Sequence, residues 1–326
     1  MSATTAGRFG PARVRSDLAS VPPIFGVLFI VTLVAWGLIL AAGGNLNLTN
    51  TLVRSVALGI VAVGQTYVIL GGSLDLSVAY QVSVTAVAAS IWMDGDPNRI
   101  WLAVPLVLLL GAAIGLVNGL IITQLRVNAF IATLGTSLIL RGLLNAGYDN
   151  YAGEVPEQFR ALGYDGIGPV PYSVILLLLI VAAGWYVLRF TRFGHHLFAV
   201  GADAETARLS GVRSDRVIIG AHIVCSLTAV LTGLFIVSRL SAGAPWVGTD
   251  GNYDLESIAA VVLGGTALAG GRGGVMGTFA GVLILALLDN AFNELEINAF
   301  IKDIVRGVII IGAVAIYAVR RRGLSR

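Results

Sequence analysis

The chain has 326 residues, 56% hydrophobic and 12% charged, about half the charged share of an average soluble domain, and a mean hydropathy of +0.87. That composition excludes an ordinary soluble or disordered protein. The net charge of +3 comes with no basic patch interleaved with aromatics, so its sign is read loop by loop, and a single cysteine, Cys225, excludes an intrachain disulfide and a Cys-based metal site.

A polar segment, residues 1–23, carries Arg8, Arg13 and Arg15 and precedes the apolar run Ile24–Ala42. The run exceeds the roughly 7–15 apolar residues of a signal-peptide core, so it reads as a retained first span, the alternative being a cleaved signal ending near Ala42. Nine further runs follow: Thr51–Leu70, Leu76–Met93, Trp101–Thr123, Ala129–Ala146, Tyr172–Arg189, Val217–Val237, Leu255–Ala269, Val275–Phe292 and Ala299–Val319. Each approaches the roughly 20 residues that a bilayer crossing needs. The eighth is short, with Gly264 and Gly265 inside it and a GGRGG break behind it. It reads as a broken or re-entrant element, admissible only if neighbouring helices bury it. The expected fold is thus an all-α polytopic membrane protein of about ten transmembrane helices over 24–319, with tails at 1–23 and 320–326.

Ten spans put both termini on one side. With the N-terminus inside, the inner segments hold the arginine clusters at 8–15, 189–216 and 320–322, whereas Asp94, Asp96, Asp149, Glu154, Glu157 and Asp165 fall outside. Positive charge marks the cytoplasmic face, so both tails and the polar interval Phe190–Arg216 are expected there.

The two halves repeat one another. LDLSVAYQVSVTAVAAS from Leu74 resembles YDLESIAAVVLGGTALA from Tyr253, and Gly111-x-x-x-Gly115 is answered by Gly277-x-x-x-Gly281. NAFI occurs at Asn128 and again at Asn298, followed by Arg141-Gly142 and Arg306-Gly307. The units, about 51–146 and 217–319, are offset by an odd number of spans and must run with opposite orientation, an arrangement suited to alternating access. The competing explanation is that glycine-containing apolar helices look alike.

No enzyme chemistry emerges. His195 and His196 are adjacent, and His222 stands alone in an apolar span, which leaves a three-His metal site unsupported. No nucleophile elbow or zinc-protease helix is present. Lys302 is the sole lysine and lacks the glycine-rich context of a phosphate loop, so any ATP must be bound by another polypeptide. Gln65, Asp75, Gln81, Asn118, Asn128 and Asn290 are polar residues in or beside spans and are the candidates for lining a solute path. Asp75 follows the Gly71-Gly72 break, and capping the helix after it is the simpler role. Arg141 and Arg306 are expected to pair with carboxylates or an interface, and the glycines at 111, 115 and 119 form one helix face suited to packing.

Four segments, GQTYVILGGSLDLSVAY, NAFIATLGTSLILRGL, FGHHLFAVGADAETARLSGV and YDLESIAAVVLGGTALAGGRGGVMGTFAG, resemble the permease family of bacterial ABC importers that includes the ribose, xylose, arabinose and galactose systems. They cover about Gly64 to Gly281 in the family's order. One departure is Ala79-Tyr80, where the family commonly has Gly-Ser.

The resemblance implies a type II importer-like permease domain that moves a monosaccharide or similar small polar solute. It also implies a second permease copy, identical or paralogous, in a bacterial plasma (inner) membrane, ATPase subunits that bind ATP and Mg, and an extracytoplasmic substrate-binding protein. No cofactor and no catalytic role are expected in this chain. In the loop 190–216, Ala202–Ser210 is expected to form a short helix, with Asp203 at its N-terminus, Arg208 near its C-terminus and Gly211 as its left-handed stop. The resemblance makes it the coupling helix, with Glu205, Ala207 and Gly211 matching a Glu-x-Ala-x-x-x-Gly pattern. The alternatives are a secondary transporter with inverted repeats, which needs intramembrane carboxylates, and an ABC permease of the same fold for nucleosides.

Overall fold

A computed structural model describes residues 23–41, 47–298, 300–302, 304, 305, 307, 308 and 311. The expected tails and most of the tenth span, Arg306 included, lie outside the described residues. In chain order the elements are α1 (Pro23–Ala41), α2 (Leu48–Leu70), α3 (Val78–Met93), a 3-10 turn (Pro97–Arg99), α4 (Ile100–Gln124), α5 (Ala129–Gly147) and α6 (Glu157–Tyr164). A two-stranded antiparallel ribbon, β1 (Gly166–Ile167) with β2 (Val170–Pro171), precedes α7 (Tyr172–Phe190), α8 (Arg192–Ala202), α9 (Ala204–Leu209) and α10 (Ser214–Leu240). Then come α11 (Val247–Asp250), α12 (Tyr253–Leu263) and α13 (Val275–Glu294). Six helices among the described residues are long and apolar enough to cross a bilayer, and α1 and α3 contribute shorter apolar runs.

The centre of the bundle is α2, whose apolar window is 83% buried against 22% for that of α4. Small residues bring helices together where lipid gives no hydrophobic drive between them. A Cβ added at Gly64 of α2 collides with Thr228 Oγ1 of α10. On α4, Gly111, Gly115 and Gly119 stack at intervals of four on the face that meets α10, opposite Val230, Ile223 and Ile219. These glycines are therefore a packing surface. Gly277 and Gly281 do the same on α13, but against Gly264 and Ala260 at the end of α12. The two matched glycine pairs thus serve different partners, one on α10 and one on α12.

Each end of the bundle is closed by contacts distant in sequence. At one end the Ala152–Gly243 bridge, Val155 N–H to the Ser241 carbonyl (2.9 Å) and Gly95 N–H to the Glu154 carbonyl (3.0 Å) tie the 94–97, 147–171 and 241–252 segments together. At the other, Gly271 N–H donates to the Leu70 carbonyl at 2.9 Å, and a Cβ at Gly201 collides with that same oxygen. The exits of α2 and α8 and the 264–274 turn therefore meet at one glycine-built junction, where Gly72, Gly270 and Gly271 all take positive φ.

The eighth span is broken at its glycines, as expected, and irregular backbone also precedes it. The helix stops at Leu263, not Ala269, because Gly264 and Gly265 turn the chain, with Gly265 at φ +87°. At 11 residues, α12 rises only about 16 Å. The rest of the depth is covered by the stretch before it. Gly243 sits beside Ser90 and Val87 at one end of α3, whereas Gly248 N–H donates to Ser83 Oγ (2.9 Å) and a Cβ added at Gly248 would collide with the Ala79 carbonyl. The chain has descended roughly 11 Å along α3 by then, in backbone that α3 covers.

Gly115→Leu places a side chain where even a Cβ stands 2.6 Å from the His222 carbonyl oxygen and 2.8 Å from Ile223 Cα. It is expected to cost the bundle about 1–3 kcal/mol or more. Gly142→Ala, with nothing within 4 Å, leaves stability unchanged, and thermal unfolding in detergent separates the two.

Candidate functional site

The polar loop folds into two helices where the sequence suggested one. Thr191 caps α8, its hydroxyl accepting from Gly194 N–H at 3.3 Å. Asp203 has extended backbone and starts α9, its carboxylate accepting from Thr206 N–H at 2.6 Å. That amide holds the Asp203 carboxyl below the usual carboxylate range. Arg208 donates from Nε and Nη2 to Glu205 at 2.9 and 2.5 Å, which lowers the Glu205 carboxyl and raises the guanidinium. Gly211, at φ +85° with open space around it, reverses the chain so that Val212 N–H reaches the Ala207 carbonyl at 3.0 Å. Ala207, the alanine of the Glu-x-Ala-x-x-x-Gly pattern, is buried against the bundle. The residue presented outward is Leu209, 76% exposed. Beside α9 opens a groove of about 920 Å³ lined by Gln124 and Arg126 after α4, Glu205 and Arg208 of α9, and Arg213 and Arg216 at the start of α10.

A second constellation lies deeper, at the interruption between α2 and α3. Gly72, at φ +77°, turns the chain out of α2, and residues 73–77 run without helix to Val78. Asp75 is fully buried there, accepting from Ser77 N–H (2.9 Å) and Ser77 Oγ–H (2.5 Å) on one oxygen. Its other oxygen faces His222 Nδ1 of α10 at 3.2 Å, and His222 Nε2 meets Ser73 Oγ at 2.9 Å. Ser77 Oγ also accepts from Gln81 Nε2 (2.8 Å) and Asn118 Nδ2 (2.9 Å), so its hydroxyl is fully engaged. Thr136 of α5 donates to Asn118 Oδ1 at 2.6 Å, and Thr133 Oγ1 accepts from Leu76 N–H at 3.1 Å. One polar network thus joins the break to α10, α4 and α5. Removing one partner from a buried pair of this kind costs about 3–5 kcal/mol.

Of the expected path residues, Asp75, Gln81 and Asn118 share that network. Gln65, on α2, faces Cys225 one turn along α10 from His222, its Oε1 accepting from Cys225 Sγ at 3.4 Å while its Nε2 is buried without a partner among the described residues. Asn128 and Asn290 are elsewhere. Asn128 caps α5 through Phe130 N–H at 3.0 Å, and Asn290 is buried on α13 with its Nδ2 unpartnered among the described residues. Asp75 bonds Ser77 N–H ahead of α3 but does not cap the helix, whose N-cap Ser77 has no side-chain cap bond, and its other oxygen has a partner, His222, that capping did not foresee. His222, which stood alone in the sequence, is corrected to a paired residue. Ser73, Ser77, Thr133 and Thr136 were not singled out either; the signal available was a carboxylate and an imidazole in separate apolar spans, each costly unless they meet. Arg141 is exposed on α5. The order Ser73–His222–Asp75 has the connectivity of a hydrolase triad, but all three side chains are buried, so no substrate carbonyl can approach the hydroxyl.

Comparison with known proteins agrees with this architecture. The family model described as "Branched-chain amino acid transport system / permease component" matches residues 47–314. The ribose import permease protein RbsC of Escherichia coli is 41% identical over 283 residues, 83% of this chain and 85% of the relative. The galactose/methyl galactoside import permease protein MglC of Haemophilus influenzae is 32% identical over 89% of this chain and 92% of its own. The L-arabinose transport system permease protein AraH of Escherichia coli is 35% identical over 78% and 77%. No solved structure matches the chain. With its apolar helices, its interrupted spans and its matches over most of its length, the chain belongs to this family of transport-system permease components.

Proposed function

We infer that this chain is the membrane subunit of an ATP-driven ABC importer and forms the path for a monosaccharide or similar small neutral polar solute. The observation that carries the reading is the capped, outward-facing α9 joined directly to α10, which runs through the bundle core, in a chain related to ribose, galactose and arabinose import permeases. A sugar suits the interior better than a zwitterionic amino acid does. Gln65, Gln81, Asn118 and Asn290 are neutral amides, and the buried carboxylate, Asp75, already faces His222. The same pairing counts against a secondary carrier, because it leaves Asp75 no freedom to bind a coupling ion, and Asp289 is also engaged.

The working unit is a dimer of such permeases in a bacterial plasma membrane with both termini cytoplasmic, ATPase subunits that bind ATP and Mg below, and a solute-binding protein outside. Asp203, Glu205, Ala207, Arg208 and Gly211 build the coupling element, in which Ala207 anchors the helix while Leu209 and the arginine-rich groove face the ATPase. Gln65, Asp75, Gln81 and Asn118 border the path; Asn128 and Asn290 are its weaker members by position. Ten spans in two inverted units organise the bundle. Supporting this, α4 packs on α10 as α13 packs on α2, and α3 packs on α10 as α12 packs on α2. Asn128 and Asn298 each accept from the N–H two residues on, at 3.0 and 2.9 Å, so both NAF sequences cap in the same way. Each unit also interrupts its second span.

Reconstituted alone, the chain is expected to move no sugar; with its ATPase and binding protein it accumulates ribose, galactose or arabinose on ATP addition. Transport by the chain alone contradicts the reading. Gly211→Val forces a β-branched residue into positive φ, and is expected to leave ATP hydrolysis while lowering sugar uptake at least about tenfold, a loss of about 1.4 kcal/mol of coupling. Asp203→Ala should speed amide exchange at Thr206 at neutral pH. Because the Asp203 carboxyl is lowered in the folded chain, the cap is complete above the ordinary value of 3.8 and is lost as pH falls through the lowered one. Exchange protection at Thr206 that fades already near neutral pH would contradict this.

A further inference from the structure

The Asp75–His222 contact connects two parts of the chain that the transport cycle must move together. His222 lies on α10, eight residues after Ser214, where α10 leaves the coupling loop. Asp75 lies in the non-helical segment 73–77 that interrupts the bundle beside the glycine junction. α2 keeps one backbone bond to the segment, Ser73 N–H to the Val68 carbonyl at 3.0 Å, across Gly71 and Gly72, and Gly72 takes a backbone conformation that only glycine adopts freely. The segment's side chains are held by α10 through two contacts, Asp75 to His222 and Ser73 to His222, and beside them a Cβ added at Gly71 would stand 3.0 Å from Ile218 Cδ1. Asn118 and Thr133 tie it to α4 and α5.

Resting on the functional reading above, we propose that the Asp75–His222 pair is a permanent strut that makes segment 73–77 travel with α10, so that motion of the coupling helix is delivered to the inner mouth of the path. Permanence follows from burial. Both side chains are inaccessible, and parting them during turnover leaves a carboxylate and an imidazole unpaired in a low-dielectric interior. Compliance resides instead at Gly211–Arg213 ahead of α10. His222 is a positioning residue in this arrangement and touches no solute.

The test uses the intact complex with its ATPase and binding protein in proteoliposomes, supplied with radiolabelled ribose, galactose and arabinose, and reads sugar moved per ATP hydrolysed. His222→Phe keeps the bulk and deletes the link; the ratio is expected to fall at least tenfold while ATP hydrolysis stays within twofold. A short thiol-specific cross-linker between Gly71→Cys and Ile218→Cys, in a Cys225→Ser background, replaces the strut covalently and should restore the ratio in the His222→Phe complex to within threefold. An assembled His222→Phe complex that transports normally overturns the proposal, as does a cross-link that fails to restore it. If His222→Phe does not assemble, the same cross-link in the otherwise unmodified complex decides: retained transport supports a permanent strut, and abolished transport overturns it. Failure of the unmodified complex to accumulate any of the sugars contradicts the functional reading instead.

Discussion

An interrupted helix inside a bilayer leaves amide and carbonyl groups that lipid cannot satisfy, and every interruption must therefore be enclosed by protein. The described residues contain two such interruptions, residues 71–77 and 241–252, and the bundle is arranged to enclose them. The first is roofed by the ends of α8 and the 264–274 turn, with Gly271 N–H satisfying the Leu70 carbonyl, and its side chains are knit to α10, α4 and α5. The second is laid along α3, where Ser83 and the bridge to Ala152 meet its amides. Glycine allows both enclosures, since Gly201, Gly248 and Gly271 sit where any side chain meets backbone.

That requirement explains how function can be built from little chemistry. The loop 190–216 contains no group that reacts. Its contribution is geometric: Asp203 starts a six-residue helix, Gly211 ends it, and Ala207 fastens it to the same core that α2 and α10 share. In the proposed cycle a displacement of α9 reaches α10 through the four-residue link 210–213 and, through α10, the interruption at 71–77.

Much of this was legible in the sequence. Runs of apolar residues located α2, α4, α5, α7, α10 and α13 to within about a turn, because a bilayer imposes one length on all of them. The Gly71-Gly72 and Gly264-Gly265 breaks, the Asp203 cap and the Gly211 stop were legible as well, since each rests on local backbone chemistry. What was not legible depended on distance or direction. The partner of Asp75 is 147 residues away, and nothing local to His222 marks it. The inward face of Ala207 could not be read from six residues of helix, which carry too little periodicity. The glycines of Leu255–Ala269 marked the break after α12, whereas the irregular stretch 241–252 before α12 has the composition of an ordinary polar loop.

The central claim is that the two interruptions open toward opposite faces of the membrane, one beside the coupling loop and one beside the 147–171 segment. Single cysteines in a Cys225→Ser background, probed with a membrane-impermeant maleimide in sealed vesicles of known orientation, test this most directly. Cysteines replacing Ala202 and Leu268 are predicted to react only from the cytoplasmic face, and those replacing Tyr151 and Ile167 only from outside. Labelling of all four from one face would contradict the account.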